Sequence, residues 1–213
     1  MTKNFDDTLD DKQRILVSTL TTPVKIQAFL DSVAYSAEDA NRCPVTVLRD
    51  RQAHCLDGGL FAAAALRRLG HPPFLVDLLP DPGTDDDHVL AIFRENGCFG
   101  AVAKSNFVGL RYREPVYRSL RELVMSYFAD FFNIDGLKTL RAYSVPLNLE
   151  DYDYLDWMGS DARLDVIERR LAGLRHFPLI SEAMAACLEP VDPLSFKAGT
   201  LVVNRAGLYK PKA

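Results

Sequence analysis

The stretch of residues 55–70, CLDGGLFAAAALRRLG, constrains the fold more than any other part of the chain. Residues 60–66 are all apolar. A helix built from them has no face to turn toward water, so it must lie inside a domain with other elements packed around it. Gly70, followed by Pro72 and Pro73, supplies the stop signal at its far end. A chain of 213 residues, 48% apolar and 25% charged, has the means to bury such a helix, as one large domain or as a compact domain with an extension.

The segments after this helix read as a sheet. FLVDLL, residues 74–79, is a nearly continuous apolar run of the kind found in a central strand. An acidic loop over residues 80–87 leads to His88, which opens the strand HVLAIF, and Asn96-Gly97 is a two-residue hairpin signal before CFGAVA. A two-residue turn sets Glu95 opposite Cys98. Counting back along both strands brings His88 opposite Ser105 on one face of the sheet. A turn one residue longer brings Lys104 there instead, and Asn106 points to the other face unless a bulge rotates it.

Upstream, Thr21 or Thr22 caps a helix with Pro23 at its first position and a stripe of Val24, Ile26, Phe29, Leu30 and Val33, ending near Tyr35. A loop through Asn41 and Pro44 precedes a short apolar piece, residues 45–48. Downstream, Ser119 and Glu122 form a capping box for a helix carrying Leu120, Leu123, Val124, Tyr127, Phe128 and Phe131 as a core stripe. Short helices are expected over residues 163–174 and 179–187, and the final TLVVNRAGLYK reads as a last strand or hairpin. The first dozen residues read as frayed. The expectation is an α+β fold: a core over residues 1–145 and a mostly helical extension over 146–213, or the two as one domain.

Composition narrows the function. The net charge of −4, with the signs interspersed, gives no basic footprint for nucleic acid and no polybasic patch for a membrane. The polar, acidic start resembles neither a signal peptide nor a transit peptide, and no apolar run is long enough to span a bilayer. Cys43, Cys55, Cys98 and Cys187 are scattered without a CxxC pair. A disulfide framework and a structural zinc site are therefore disfavoured, and reduced thiols in the cytoplasm are the expectation.

One of those thiols calls for a chemical explanation. Cys55 heads the buried helix, where free amides and the helix dipole favour a thiolate, and His88 at the head of a strand is the candidate base. The group that orients the imidazole is expected from Lys104, Ser105 and Asn106. Gln52 is a candidate oxyanion donor, although a solvated loop residue is the commoner case. His54 is a weaker alternative base. Asp57 suits the helix start, yet its charge opposes thiolate formation. Asp85, Asp86 and Asp87 read as a solvated acidic turn rather than a metal site. Arg111 and Arg113, with Glu114, read as a surface salt-bridge network or, more sharply, as a clamp for a substrate carboxylate. Trp157, with Tyr152 and Tyr154, reads as packing.

Cys55, the alanine-rich helix ending LRRLGHPP, the apolar strand, and His88 leading a hydrophobic hairpin together resemble the transglutaminase-like superfamily, over roughly residues 23–107. The resemblance implies a papain-like α+β core and a Cys-His-Asp triad for acyl transfer or amide hydrolysis. Cys55 and His88 match its first two positions. The family has a tryptophan and then an aspartate on the second hairpin strand, where this chain has Phe99 and then Ser105 or Asn106. An asparagine can orient a histidine, and a serine does so more weakly. Two functions follow. One is an enzyme in which Cys55 attacks an amide or ester carbonyl of a peptide, protein or small amide substrate, requiring no cofactor. The other is an inactive member of the fold that binds a peptide or partner.

Overall fold

The computed structural model describes residues 4–210. A 3-10 turn, Phe5–Thr8, precedes α1 (Asp11–Ser18) and α2 (Pro23–Asp31). The two-residue strand β1 (Ala34–Tyr35), helix α3 (Pro44–Asp50) and strand β2 (Gln52–Ala53) lead into α4 (Cys55–Arg68). Four strands follow: β3 (Phe74–Pro80), β4 (His88–Glu95), β5 (Cys98–Val102) and β6 (Arg113–Tyr117). Then come α5 (Leu120–Met125), β7 (Leu140–Ser144), β8 (Leu147–Asn148), a 3-10 segment Leu149–Leu155, α6 (Leu164–Ala172) and β9 (His176–Pro178). Two short helices, α7 (Glu182–Ala185) and α8 (Pro193–Gly199), and a 3-10 turn, Arg205–Gly207, complete the described chain.

Seven strands form one antiparallel sheet in the order β6-β5-β4-β3-β7-β9, with β8 also pairing β3. The Asn96-Gly97 turn gives the expected register, Glu95 opposite Cys98 and Ala91 opposite Val102. Both turn residues have positive φ, 50° and 81°, which that dipeptide tolerates. Leu75, Val89, Ala91, Phe93 and Val102 pack against α4 on one face. Val76, Leu78, Leu90, Ile92 and Ala101 pack with Leu123, Tyr127 and Phe131 on the other. β3, apart from Asp77, and β4 from Val89 to Phe93 are apolar because both of their faces are covered.

Helix α4 is buried at every residue from Leu56 to Leu66. Its first turn approaches the sheet more closely than any side chain would allow. A Cβ on Gly58 would lie 2.2 Å from the Lys104 Cβ, and one on Gly59 would lie 2.8 Å from a Val89 methyl. Lys104 runs past this contact and caps α2, its ammonium donating to the carbonyls of Leu30, at 2.9 Å, and of Val33. The Leu30 carbonyl also accepts the Val33 N–H, at 3.2 Å, so the lysine adds a second donor at this helix end. Burial brings the lysine pKa down to about 8.

Several elements differ from the sequence reading. The described part of the stretch expected to fray forms the 3-10 turn and the start of α1, with Phe5 and Val17 in the core. The apolar piece after Pro44 is a helix, because Pro44 sits at its first position. Helix α2 ends at Asp31 where Lys104 caps it, and Tyr35 lies in β1 paired with Ala53. Helix α5 stops at Met125, so Tyr127 and Phe131 reach the core from turns. The stretch 200–210 forms no strand, since the Asn204 side chain takes the Ala206 N–H into a turn. β8 and β9 belong to the main sheet, so the sheet runs across residue 145.

The Gly58 contact sets the first expectation. Gly58→Ala forces helix or sheet to move, and it should lower stability by about 3 kcal/mol in urea unfolding, the upper part of the usual overpacking range. A loss below about 1 kcal/mol would mean that α4 does not seat this closely.

Candidate functional site

The start of α4 is closed by side chains. The Leu56 N–H donates to His54 Nδ1 at 3.2 Å, and the His54 N–H donates to Asp57 Oδ2 at 3.1 Å. Asp57 is fully buried, and its Oδ1 accepts the Arg42 N–H at 2.7 Å. The Arg42 guanidinium lies 3.7 Å from Asp57 Oδ2, and His54 Nε2 lies 3.3 Å from Oδ1. Burial pushes the Asp57 carboxyl up to about 7, although the bonds from Arg42 and His54 work the other way. Burial, and then the Arg42 charge, hold His54 at about 4. His54 is therefore a helix cap whose ring nitrogens are both engaged. The one main-chain N–H of this turn with no protein acceptor among the described residues is that of Cys55.

Cys55 is half-buried, and its thiol points at the Asp87 carbonyl, 3.9 Å away. Burial, then the carboxyls of Asp87, Asp57, Asp77 and Asp86, push the thiol well above its ordinary pKa. The dipole of α4 is outweighed by desolvation and acidic neighbours. Tyr35 feels the same surroundings: burial and then the Cys55 charge raise its phenol strongly.

His88, the next residue after Asp87, is buried and opposite Leu78, on the sheet face of Leu90 and Ile92. Its Nε2 lies 2.9 Å from the Leu110 carbonyl, and its ring meets Phe131 edge-on at 6.4 Å. A carbonyl only accepts, so Nε2 carries the proton and Nδ1 keeps its lone pair. Burial lowers this imidazole to about 4, so it is neutral at pH 7. No hydrogen bond joins Cys55 Sγ to the His88 ring among the described residues.

The expected orienting groups are otherwise engaged. His88 and Ser105 line one cleft, although the strand pairing ends at Ala91 opposite Val102, and Ser105 Oγ accepts the Phe107 N–H at 3.0 Å. The Asn106 side chain holds residues 204 and 207. The ring is held by the Leu110 main chain, a partner that no side-chain pattern announces. Gln52 is exposed in β2. Arg113 is a structural tie rather than a clamp. It donates to Ser126 Oγ at 3.0 Å, to the Gly109 carbonyl at 2.9 Å and to Asp130 at 3.0 Å, and it lies 4.1 Å over the Tyr127 ring. Arg111 pairs with Asp31 at 3.3 Å. Asp85 accepts the Thr139 hydroxyl at 2.9 Å, and no group of three or more His, Cys, Asp or Glu among the described residues is arranged to hold a metal ion.

Asp77, whose charge acts on the Cys55 thiol, forms a pair with His176. Asp77, fully buried, lies 3.3 Å from His176 Nε2 through Oδ2, and its Oδ1 has no hydrogen-bond partner among the described residues. Burial and then Asp87 push its carboxyl up to about 8. A single carboxylate inside FLVDLL was the available signal for it. His176 left no such mark, because β9 is only three residues long.

Among solved structures the chain has a distant likeness to LapG of Legionella pneumophila, in two structures, one of EGTA-treated protein. Each is 14% identical with a TM-score of 0.35, over 47% of this chain. The chain spans 66% of that protein's length. No protein-family model and no curated protein matches it.

Two titrations follow from these surroundings. The rate at which iodoacetamide labels Cys55 should keep rising through pH 9, and Asp87→Asn should move the profile to lower pH by removing a repelling charge. A wild-type plateau below pH 8 would contradict the acidic surroundings. Asp77 has a folded pKa of about 8, above its unfolded value, so its contribution to stability is full below about pH 4 and is lost as pH rises toward 8. Asp77→Asn, which copies the neutral form, should therefore gain on the wild type in urea midpoint between pH 5 and pH 8. An unchanged gap would refute the shift.

Proposed function

We propose that the chain is a cysteine-dependent acyl-transfer or amide-hydrolysing enzyme of the transglutaminase-like kind, with Cys55 as nucleophile and His88 as base. The observation that carries this reading is the tautomer of His88. With Nε2–H given to the Leu110 carbonyl, Nδ1 is the basic nitrogen, and it belongs to the residue that follows the carbonyl touched by Cys55 Sγ. The Leu110 oxygen thus does for the ring what the third member of a triad does, which supports activity without an aspartate at that place.

The thiol and the imidazole are both neutral at rest, so general-base attack suits them better than a preformed ion pair. As sulfur bonds to the carbonyl carbon, the thiol proton passes to Nδ1 and the carbonyl electrons move to oxygen. The Cys55 N–H, at the positive end of α4, is the available donor to that oxyanion. Collapse expels the amine or alcohol with the proton from Nδ1. Water or an amine then resolves the thioester. Cys55, His88 and the Leu110 carbonyl are the residues of this reading, and Ser105 and Asn106 have no orienting part in it.

A second reading, a peptide- or partner-binding module without catalysis, is favoured by the raised thiol pKa. An activated ester separates the two. With p-nitrophenyl acetate near pH 8, the enzyme should carry an acetyl group on Cys55, found by peptide mass spectrometry. His88→Ala should slow acylation about 100-fold. No acetyl on Cys55, or a rate indifferent to His88, favours the binding module.

A further inference from the structure

The cleft at His88 is crossed by a later part of the same chain. Asn106 Nδ2 donates to the carbonyls of Asn204, at 2.9 Å, and Gly207, at 3.2 Å, while its Oδ1 accepts the Asn204 N–H at 2.7 Å. One buried amide side chain therefore reads three main-chain groups of a single segment. The Asn204 side chain answers by donating to the Tyr35 carbonyl at 3.0 Å and accepting the Ala206 N–H at 3.1 Å, which closes the turn Arg205–Gly207. Gly207 lies flat against Tyr35, where a Cβ would come within 3.0 Å of the ring. Gly207, Leu208 and Tyr209 share the lining of the cleft with His88, Ser105 and Leu110.

We propose that this cleft is a binding site for a peptide main chain, and that residues 204–209 are its intramolecular occupant. A carboxamide offers a donor and an acceptor side by side, which is the complement of a peptide group. Such reading of the backbone tolerates many side chains, while the Tyr35 ring selects glycine at the place of Gly207. The ligand class is a peptide that turns after an asparagine-like cap and presents a glycine to Tyr35. The inference rests on the Cys55–His88 reading only in its consequence: the docked segment stands where a peptide substrate would approach. Tethering gives the segment an effective concentration on the order of millimolar, so added peptide competes poorly until the segment's own bonds are weakened.

The test uses the full chain with Cys55→Ser, so that binding is read apart from chemistry, and a fluorescent peptide of residues 200–210. Asn204→Ala removes two bonds of the exposed segment and leaves Asn106 and Tyr35 intact. The peptide should bind this variant about tenfold more tightly than the parent by fluorescence anisotropy. Adding Asn106→Asp, which keeps the size but removes both donors, should abolish the gain. Amide exchange over residues 204–209 should quicken in Asn204→Ala while the amides of β3 to β5 stay protected, a readout that decides the matter even if Asn106→Asp misfolds. Equal binding to parent and Asn204→Ala, or fast exchange of these amides in the parent, overturns the proposal. Peptide binding without acylation of Cys55 means a binding module. Acylation without peptide binding means an enzyme whose cleft the segment does not occupy as a ligand.

Discussion

Helix α4 is buried at every residue from Leu56 to Leu66, and its first turn touches Lys104, just past the end of β5, through Gly58. The site depends on that contact. Two glycines after the cysteine bring the helix start down to the head of β4, where the Asp87 carbonyl meets the sulfur and the next residue is the histidine. Asp57 fastens the same turn from the other side by accepting the main-chain N–H groups of Arg42 and His54. A charged group with no exposure is costly unless it is bonded on several sides, and here those bonds fix the loop before α3 to the start of α4.

The electrostatics oppose the dipole argument made from sequence. A helix N-terminus favours a thiolate by a fraction of a kcal/mol to about 2 kcal/mol. Burial with Asp87, Asp77 and Asp86 close by acts in the opposite direction, and burial is the largest influence. Position on a helix gives the sign of one influence. The sum depends on residues far apart in the chain, and Asp77 is the clearest example, a carboxylate opposite Val89 in the sheet whose charge acts on the Cys55 thiol.

Much of the fold was legible because its signals are local. The capping threonine with Pro23, the all-apolar helix, the Asn96-Gly97 turn and the core stripe after Ser119 each rest on a few neighbouring residues, and the hairpin register followed from the turn alone. What was not legible depends on distant partners. Leu110 holds His88 through its main chain, which carries no residue-type signal. Asn106 has the residue type of an orienting group, but residues 204 and 207, far along the chain, engage its amide. His176 comes from a three-residue strand that exists only because β7 is beside it.

The sheet itself carries a consequence for how the molecule is assembled. Its central strand, β3, takes one neighbour from the adjacent hairpin and its other neighbours from β7 and β8, whose paired residues, from Pro80 with Leu140 to Phe74 with Asn148, are far apart along the chain. Trp157, with no exposed surface, fills the α4 side of the core from further still. During synthesis, the emerging polypeptide would carry a half-paired hydrophobic strand until these late pieces leave the ribosome. Closure is thus a long-range, slow event, and the nascent intermediate is the form most in need of a chaperone.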